Sequence, residues 1–580
     1  MTNTEIADLL REVAASYIVK KKNRFRIIAY ERAADATEHA TSSVKDLWDD
    51  NKLETIPGVG KEIASHLDEL FRTGEVKHFT QAKRGLPPGM FQILGIPGIG
   101  PKTAYKLAKE LRVTSIESLR KVCEGGKIRL LEGFGEKSEE ELLKGIDEYE
   151  KRSRRILLPQ AAYTADKVIA SLQKNKFVLR ADVLGSLRRQ VSTVGDIDIA
   201  VATNNPKSVI QTFCSLPGIE RVLERGDAKA SIKLSDGKQV DLRVQGLESY
   251  GALLQHFTGS KHHNIALREH AQKKGWSLSE YGIKVKSKLL QFDTEKAFYT
   301  KLGMQYIPPE LREAEGEIEQ ALAHRLPTLV ELKDIKGDLH IHSDFNIEPS
   351  HDLGRSGLKK ILSQAKKLGY EYIGLSEHNP SNSMHQDGEK IELIKRRNDY
   401  IDQTISSESG KFPVRVLKLL EIDILNNGSL SIPDNALDLL DGAIVSIHSS
   451  FRLNRTEMTK RVLEGLSHPK AKILAHPTGR LLLSREGFEL DWDKVFEFCL
   501  KYNKILEINS WPTRLDLADV LVKDAKKRGV KLIINTDSHD AEHMKLMRFG
   551  VSVARRGWCE KSDIVNCLPY DAFRAILTKN

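Results

Sequence analysis

The sequence predicts a multidomain α/β protein with a helical N-terminal part, a mixed α and β middle, and a C-terminal parallel, barrel-like sheet. Three observations predict it. The chain has 580 residues, too many for one core, so about three to five domains are expected. A Gly-x-Gly turn recurs before residue 140, each copy followed by a helical pattern. After about residue 335, short apolar strands alternate with amphipathic helices, the pattern of βα units.

Composition narrows the class. With 40% hydrophobic and 29% charged residues the chain is ordinary globular protein. It holds no run of about 18 apolar residues, and its first residues are too acidic and polar for a secretory signal, so a cytoplasmic protein without membrane contact is expected. Cys123, Cys214, Cys499, Cys559 and Cys567 are scattered with no CxxC pair, which excludes a disulfide framework and a thiolate metal site. The formal charge of +10 suits a nucleic-acid partner once motifs agree with it.

Residues 4–40 read as amphipathic helices, with Ile6, Leu9, Leu10 and Val13 at helical spacing. The glycine turns follow: Ile56-Pro-Gly-Val-Gly-Lys61, Ile96-Pro-Gly-Ile-Gly-Pro-Lys102 and the weaker Glu132-Gly-Phe-Gly135. In the first two, Gly58 with Gly60 and Gly98 with Gly100 permit a tight turn into helical runs over Ala64–Leu70 and Thr103–Leu111. A helix N-terminus at such a turn offers unpaired N–H groups that bind phosphate whatever the base, and Lys61 and Lys102 add charge. A lone Gly-x-Gly reads as a helix-capping turn. Two near-identical copies, each preceded by Ile-Pro, point to a DNA backbone.

Strands are expected at Lys176–Leu184, Asp196–Ala202 and Lys238–Val244. On a strand, residues two apart face the same way, so Asp196 and Asp198 project together while Ile197 and Ile199 enter the core. Adjacent carboxylates repel unless a cation sits between them. Asp241, in Val240-Asp-Leu-Arg-Val244, supplies a third on a neighbouring strand, and three carboxylates there can hold two Mg²⁺ ions. Upstream, Gly185-Ser186 leads into Arg188 and Arg189, a turn with a hydroxyl and a guanidinium that suits the phosphates of a nucleoside triphosphate. Residues 309–326 read as an acidic helix, with Leu326-Pro-Thr as a boundary.

In the last part, strands are expected at Tyr372–Leu375, Ala443–Ile447, Ile473–Ala475, Ile505–Ile508 and Leu532–Ile534. Histidines and carboxylates recur at their ends: His340 and His342, then His378, Glu421, His448, His476, Asp537 and His539. An isolated His after a strand is usually structural. Repeated placement together with carboxylates indicates a polynuclear metal centre, and nitrogen and oxygen ligands without thiolates suit Mn²⁺, Zn²⁺ or Fe²⁺.

Over about residues 1–320 these motifs resemble the family X DNA polymerases. The resemblance implies a helix–hairpin–helix, 8 kDa-like DNA-binding domain over 1–85, a fingers-like helix–hairpin–helix domain over 86–150, a nucleotidyltransferase palm over 151–245 and a thumb over 246–318. It places Gly185, Ser186, Arg189 and Gly195 on the triphosphate and Asp241 on the primer 3′-hydroxyl. His256, Phe257 and Gly259 fall in the loop beside the incoming sugar and base, with Asn264 and Arg268 touching nucleotide or template on the following helix. It also implies a monovalent cation held by the carbonyls of Glu54, Ile56 and Val59, and by those of Leu94, Ile96 and Ile99. Two departures stand out. His256 replaces the family's Tyr, and His66 stands where the repair members carry the lysine that forms an imine with a 5′-deoxyribose phosphate. Strong lyase activity is therefore not expected, while Arg26, Tyr30 and Lys61 remain able to grip a 5′-phosphate.

After a linker at 319–335, residues 336–580 resemble the PHP (polymerase and histidinol phosphatase) superfamily. That resemblance implies a distorted (β/α)7 barrel holding up to three Mn²⁺ or Zn²⁺ ions on the eight ligands above and a ninth aspartate. Asp344 comes early for the usual pattern and Asp352 has the expected spacing before a helix at Leu358–Leu368, so Asp352 is favoured as the ninth with Asp344 as the alternative. Arg480, four residues after His476, is a candidate phosphate contact. Together these imply a monomeric gap-filling repair polymerase acting on gapped or nicked DNA and dNTPs, fused to a 3′–5′ exonuclease, 3′-phosphatase or AP endonuclease. The alternatives are a PHP domain acting on small phosphate esters, and a DNA-end-binding scaffold with degraded sites.

Overall fold

The computed structural model describes residues 3–39, 44–49, 53–56, 58–96, 98–153, 155–408 and 410–578. Contacts divide the chain into two units. The first comprises Met1–Arg154 with the segments Phe345–Gly354 and Pro380–Gln386; the second holds the remainder. No helix among the described residues is long and apolar enough to cross a membrane.

The first unit is helical over its N-terminal stretch. Helices Asn3–Val19 and Arg24–His39 form where the apolar spacing predicts them, and Ile6, Leu10 and Val13 are buried in a cluster with Ile56, Ile63 and Leu67. A second cluster gathers Met90, Ile93, Ile96, Ala104, Leu107, Leu119 and Ile146. The first surrounds the first glycine turn and the second takes in the other two, so the turns are pinned by apolar residues beside them.

The second unit opens with a five-stranded mixed sheet. Its strands are β1 (Val178–Val183), β2 (Ile197–Thr203), β3 (Ile219–Arg225), β4 (Lys229–Leu234) and β5 (Gln239–Gln245), in the order β1-β2-β5-β4-β3. Strands β2 and β5 are parallel and their neighbours antiparallel. Ala200 and Ala202 of β2 pack on Tyr250, Leu253 and Leu254 of helix Tyr250–Thr258, which carries the next motif. A small antiparallel sheet (Trp276–Ser279, Gly282–Val285, Lys288–Leu290) and helices Lys261–Gln272 and Glu295–Leu302 follow.

The helix expected over 309–326 is corrected. A short 3-10 turn spans Pro309–Leu311, and an α-helix covers Glu317–Leu322 alone. Gly316 has φ +100°, outside helical geometry. The Glu317 carboxylate accepts N–H groups from Ala314 (2.9 Å) and Glu315 (2.7 Å), stabilising a turn in place of a continuous helix.

From Gly337 onward the strands are parallel: β6 (Gly337–Ile341), β7 (Tyr372–Leu375), β8 (Arg415–Lys418), β9 (Glu421–Asp423), β10 (Ala443–Ser446), β11 (Ala471–Leu474), β12 (Ile505–Asn509) and β13 (Lys531–Asn535). They form sheets β6-β7-β8 and β9-β10-β11-β12-β13. Parallel bridges His378↔Glu421 and Ile341↔Ser538 join the two sheets on both sides. Strands β8 and β9 run on from one another across Leu419–Leu420, which gives seven positions, as the PHP resemblance implied. Leu339, Leu417, Ile444, Ile473, Ile505 and Ile533 fill its core.

Candidate active sites

Each glycine turn is built the same way. Gly58 and Gly98 have φ of +83° and +85°, and Gly60 and Gly100 are extended N-caps of helices Lys61–Thr73 and Pro101–Glu110. Val59 N–H donates to Ile56 O (2.9 Å) and Ile99 N–H to Ile96 O (3.1 Å). Lys61, first in its helix, and Lys102, second in the other, are exposed, while Pro57 and Pro97 lie outside the described residues. The weaker third copy folds alike: Gly133 has φ +84° and Phe134 N–H donates to Leu131 O at 3.0 Å. Its helix, however, begins at Glu136, whose charge opposes phosphate binding. His66 contacts Tyr30, Nδ1 to OH at 2.9 Å, and burial with neighbouring His78 lowers its pKa.

In the middle sheet, Asp198 of β2 and Asp241 of β5 are partners in parallel register. Registered residues on adjacent strands share a face, so the two carboxylates lie side by side, with Asp196 just before β2. Burial first, then Asp196 and Asp241, pushes the Asp198 carboxyl up to about 7 against the opposing charge of Arg243. That is the cost of crowding carboxylates without a cation. Asp241 accepts Gln239 Nε2 at 3.1 Å on both oxygens. Gly185 has φ +58°, and a Cβ there would lie 2.8 Å from Asp198 Oδ2, so the Ser186 turn and the carboxylates approach only through glycine.

The two arginines after that turn have different partners. Arg188 donates to Glu295 (2.9 and 2.6 Å), which also accepts Arg312 Nη1 at 2.6 Å. Arg312 is fully buried, and despite burial the two guanidinium groups hold the Glu295 carboxyl at about 2. This strut is structural. Arg189 donates Nη1 to Thr258 O (2.6 Å) and Nε to Glu313 Oε1 (3.0 Å). A Cβ on Gly259 would stand 3.2 Å from Arg189 Nη1. Phe257 packs under the Arg243 guanidinium, 3.9 Å from its ring centroid, and Asn264 Nδ2 donates to His256 O at 2.8 Å. Ser186 is partly exposed, and Gly195 and Arg268 are exposed. Sequence reasoning missed Arg243, Glu295, Arg312 and Glu313; their signal is a long-range partner, invisible in the sequence.

At the C-terminal ends of the barrel strands all eight expected ligands converge. His342, His378 and His539 form one group; His340, His342, Glu421 and Asp537 a second; His378, Glu421 and His448 a third, with ligand atoms mutually within 4.8 Å in each. Glu421 is the hub. Its oxygens lie 3.0 Å from His340 Nε2, 3.1 Å from His378 Nδ1, 2.9 Å from His476 Nε2 and 3.3 Å from His448 Nε2. His342 Nε2 is 3.4 Å from Asp537 Oδ1 and 3.5 Å from Glu421 Oε2.

The residues fit metal ions. His340 Nε2, both ring nitrogens of His342 and Glu421 Oε2 are buried without hydrogen-bond geometry, although partners stand at hydrogen-bond distance. Separations of about 3.0–3.5 Å are the edges of a coordination polyhedron with metal–ligand bonds near 2.1 Å. His476 and Asp537 also have φ of +28° and +56°, strain that a non-glycine residue keeps where a site demands it. Burial opposes a charged His340, yet Glu421, Glu507 and Asp537 hold its pKa well above the usual value, while burial with His539 and His378 pushes His342 well below it.

The supporting residues are those the sequence reading missed. Buried Glu507 of β12 accepts His340 Nδ1 (2.8 Å), Asn535 Nδ2 (2.9 Å) and the His476 N–H (2.7 Å). Asp423 accepts His448 Nδ1 at 2.8 Å. Each fixes an imidazole with its other nitrogen toward the centre. Arg480 Nε donates to Arg514 O (3.0 Å) and its Nη2 to Leu515 O, so it ties down a loop. Arg514 is a cation beside the centre, Nε 3.7 Å from Asp537 Oδ2. Asp344 donates its N–H to Ser356 O (3.1 Å), and a Cβ on Gly357, the N-cap of helix Leu358–Leu368, would lie 3.5 Å from its Oδ2. Asp352 belongs to the segment grouped with the first unit.

Comparison with known proteins matches a helix-hairpin-helix domain over residues 1–76, a SAM-like helix-hairpin-helix tandem over 92–148 and a DNA polymerase beta thumb over 253–313. The chain is 35% identical over 584 residues, 100% of both chains, to a Bacillus subtilis (strain 168) protein described as DNA polymerase/3'-5' exonuclease PolX. A "probable phosphatase" of Clostridium acetobutylicum is 30% identical over 211 residues, 35% of this chain and 78% of its own. DNA polymerase lambda of Rattus norvegicus is 24% identical over 343 residues, 54% of this chain and 56% of its own.

Proposed function

The chain belongs to the bacterial family X DNA polymerases that carry a C-terminal PHP domain, and from that premise we propose how its centres divide the work. It is a DNA polymerase fused to a metal-dependent phosphoesterase. In our reading Asp196, Asp198 and Asp241 bind Mg²⁺ and perform nucleotide transfer into short gaps. The eight barrel ligands bind Mn²⁺ or Zn²⁺, and the barrel hydrolyses DNA 3′ ends or abasic sites. When bound, the ions supply Lewis acidity and neutralise charge developing on phosphate oxygens.

The chain's own residues do the rest. Asp241 accepts the proton of the primer 3′-hydroxyl as its oxygen bonds to the α-phosphorus and pyrophosphate leaves. Gly185, Ser186, Arg189 and Gly195 hold the triphosphate, and His256, Phe257, Gly259, Asn264 and Arg268 surround the sugar and base. Gly58, Gly60 and Lys61, with Gly98, Gly100 and Lys102, grip the DNA backbone through main-chain N–H groups, and the carbonyls of the two turns hold a monovalent cation. In the barrel, Glu507 and Asp423 orient His340 and His448, and Arg514 offers positive charge to a phosphate. We place the enzyme in the cytoplasm as a monomer.

The Asp198–Asp241 register carries this reading, because it brings two carboxylates to one face beside the Gly185-Ser186 turn. The test pairs primer extension on gapped DNA with Mn²⁺-dependent degradation. Asp241→Ala should abolish incorporation and keep the nuclease, and His342→Ala should do the reverse. Loss of both activities in either variant refutes two independent centres. The Clostridium match favours a second reading, a barrel acting on small phosphate esters; small-ester hydrolysis without DNA degradation would select it.

A further inference from the structure

Helix Met547–Arg556 lies in the barrel half of the second unit, yet one of its faces touches the turn that presents Ser186 and Arg189. Positions 552, 555 and 556 follow i, i+3, i+4 spacing and share that face. Ser552 Oγ donates to Gln190 Oε1 at 3.0 Å. Arg555 Nε donates to Glu310 Oε1 at 2.7 Å. Arg556 Nη1 donates to the Arg189 carbonyl and to Glu313 Oε1, both at 2.9 Å, and its Nε donates to Asp519 Oδ2 at 2.6 Å. The same Glu313 oxygen accepts Arg189 Nε at 3.0 Å. One carboxylate oxygen therefore joins a barrel arginine to the arginine read as the triphosphate contact. Arg556 and Arg189 side chains are 10% and 14% exposed, so solvent screens these charges little.

We propose that Arg556 is a positioning residue for nucleotide incorporation, setting how readily Arg189 turns from Glu313 to an incoming triphosphate. The proposal rests on the reading of Arg189 as a triphosphate contact. Its physical basis is competition for one cation. An arriving triphosphate must draw the Arg189 guanidinium from Glu313 Oε1. Arg556 binds that same oxygen, neutralises part of its charge and weakens its hold on Arg189. It also pins the Arg189 main chain through the carbonyl, so the side chain swings from a fixed base. Without Arg556, Glu313 holds Arg189 more tightly and the turn loses its anchor. Both effects weaken nucleotide binding and leave the chemical step alone. The barrel thus completes the polymerase nucleotide site as well as carrying its own.

Single-nucleotide insertion on gapped DNA with the full chain tests this. Arg556→Ala should raise KM for the dNTP about tenfold, the order expected for one charge-assisted hydrogen bond, with kcat little changed. Arg556→Lys should restore part of the loss, since an ammonium keeps the charge at Glu313 but cannot reach all three acceptors. Glu313→Gln should lower KM, and on that background Arg556→Ala should have much less effect. Retained Mn²⁺-dependent nuclease activity shows that the barrel is folded; if Arg556→Ala loses it, Arg556→Lys carries the test and must raise KM. An unchanged KM in the folded variant, a fall in kcat alone, or additive effects of the Glu313 and Arg556 changes overturns the proposal. Arg189→Ala separates the two layers. If it leaves KM unchanged, the reading of the site is wrong; if it raises KM while Arg556→Ala does not, the positioning role alone fails.

Discussion

Replacing Asp198 by Asn should abolish nucleotide transfer and at the same time stabilise the metal-free protein at neutral pH. Burial, then Asp196 and Asp241, raises the Asp198 carboxyl from 3.8 to about 7. Between about pH 4 and 7 the folded state keeps a proton that the unfolded chain has released, so stability falls as pH rises through that window. At about 1.4 kcal/mol per pKa unit the full penalty above pH 7 is about 4 kcal/mol, and partial exposure reduces it to roughly 2–4. Asparagine cannot ionise and escapes it. For a domain of this size that corresponds to a Tm about 5–10 °C higher for Asp198→Asn at pH 8. At pH 5 the increment should be about one third as large, because only that share of the window has been crossed. Calorimetry in chelator at both pH values measures it, with the relevant transition identified by its shift on adding Mg²⁺ and dNTP. Saturating Mg²⁺ should reverse the order of the two proteins. An Asp198→Asn protein that is no more stable at pH 8, or whose gain does not depend on pH, would refute the account of carboxylate crowding.

Two further predictions concern the other centres. Glu507→Gln removes the carboxylate that holds His340 Nδ1 at 2.8 Å; metal affinity of the barrel should fall about 10–100-fold, with nuclease activity recovered at high Mn²⁺ and primer extension unaffected, and an unchanged Mn²⁺ dependence would remove Glu507 from that role. Borohydride trapping on an abasic 5′ end should yield little adduct, because His66, whose Nδ1 contacts Tyr30 OH at 2.9 Å, cannot form the imine; efficient trapping that requires residues 1–80 would overturn this.

Much of the fold was readable because local patterns and tertiary packing agree. The strand expected at Tyr372–Leu375 and the helix at Leu358–Leu368 occur with those bounds. The neighbouring strands shift by one or two residues at their ends, where hydrogen bonding rather than hydropathy sets the limit. The 309–326 helix failed where a positive-φ glycine and a capping carboxylate outweighed helical composition. Arg480 has partners that its sequence neighbourhood did not show. Its spacing from His476 suggested the site, but backbone carbonyls 34 and 35 residues away claim its guanidinium.

What the sequence determined by itself is the chemistry carried by short-range geometry. The run Asp196-Ile-Asp198 marked a carboxylate pair at the start of a strand, although the strand begins only at Ile197, and glycine pairs before helices made the tight turns. Ligands placed at successive strand ends announced a metal centre, because a parallel barrel collects strand ends at one rim. Tertiary structure alone decided which charges meet across long separations. It made Glu421 the shared neighbour of four imidazoles within 3.3 Å, set Glu507 behind His340, locked Arg188 into a strut with Glu295, and joined Arg189 to Arg556 through Glu313. Hydrophobic periodicity specifies what is buried, whereas a buried charge takes its role from the partner that desolvation forces it to find.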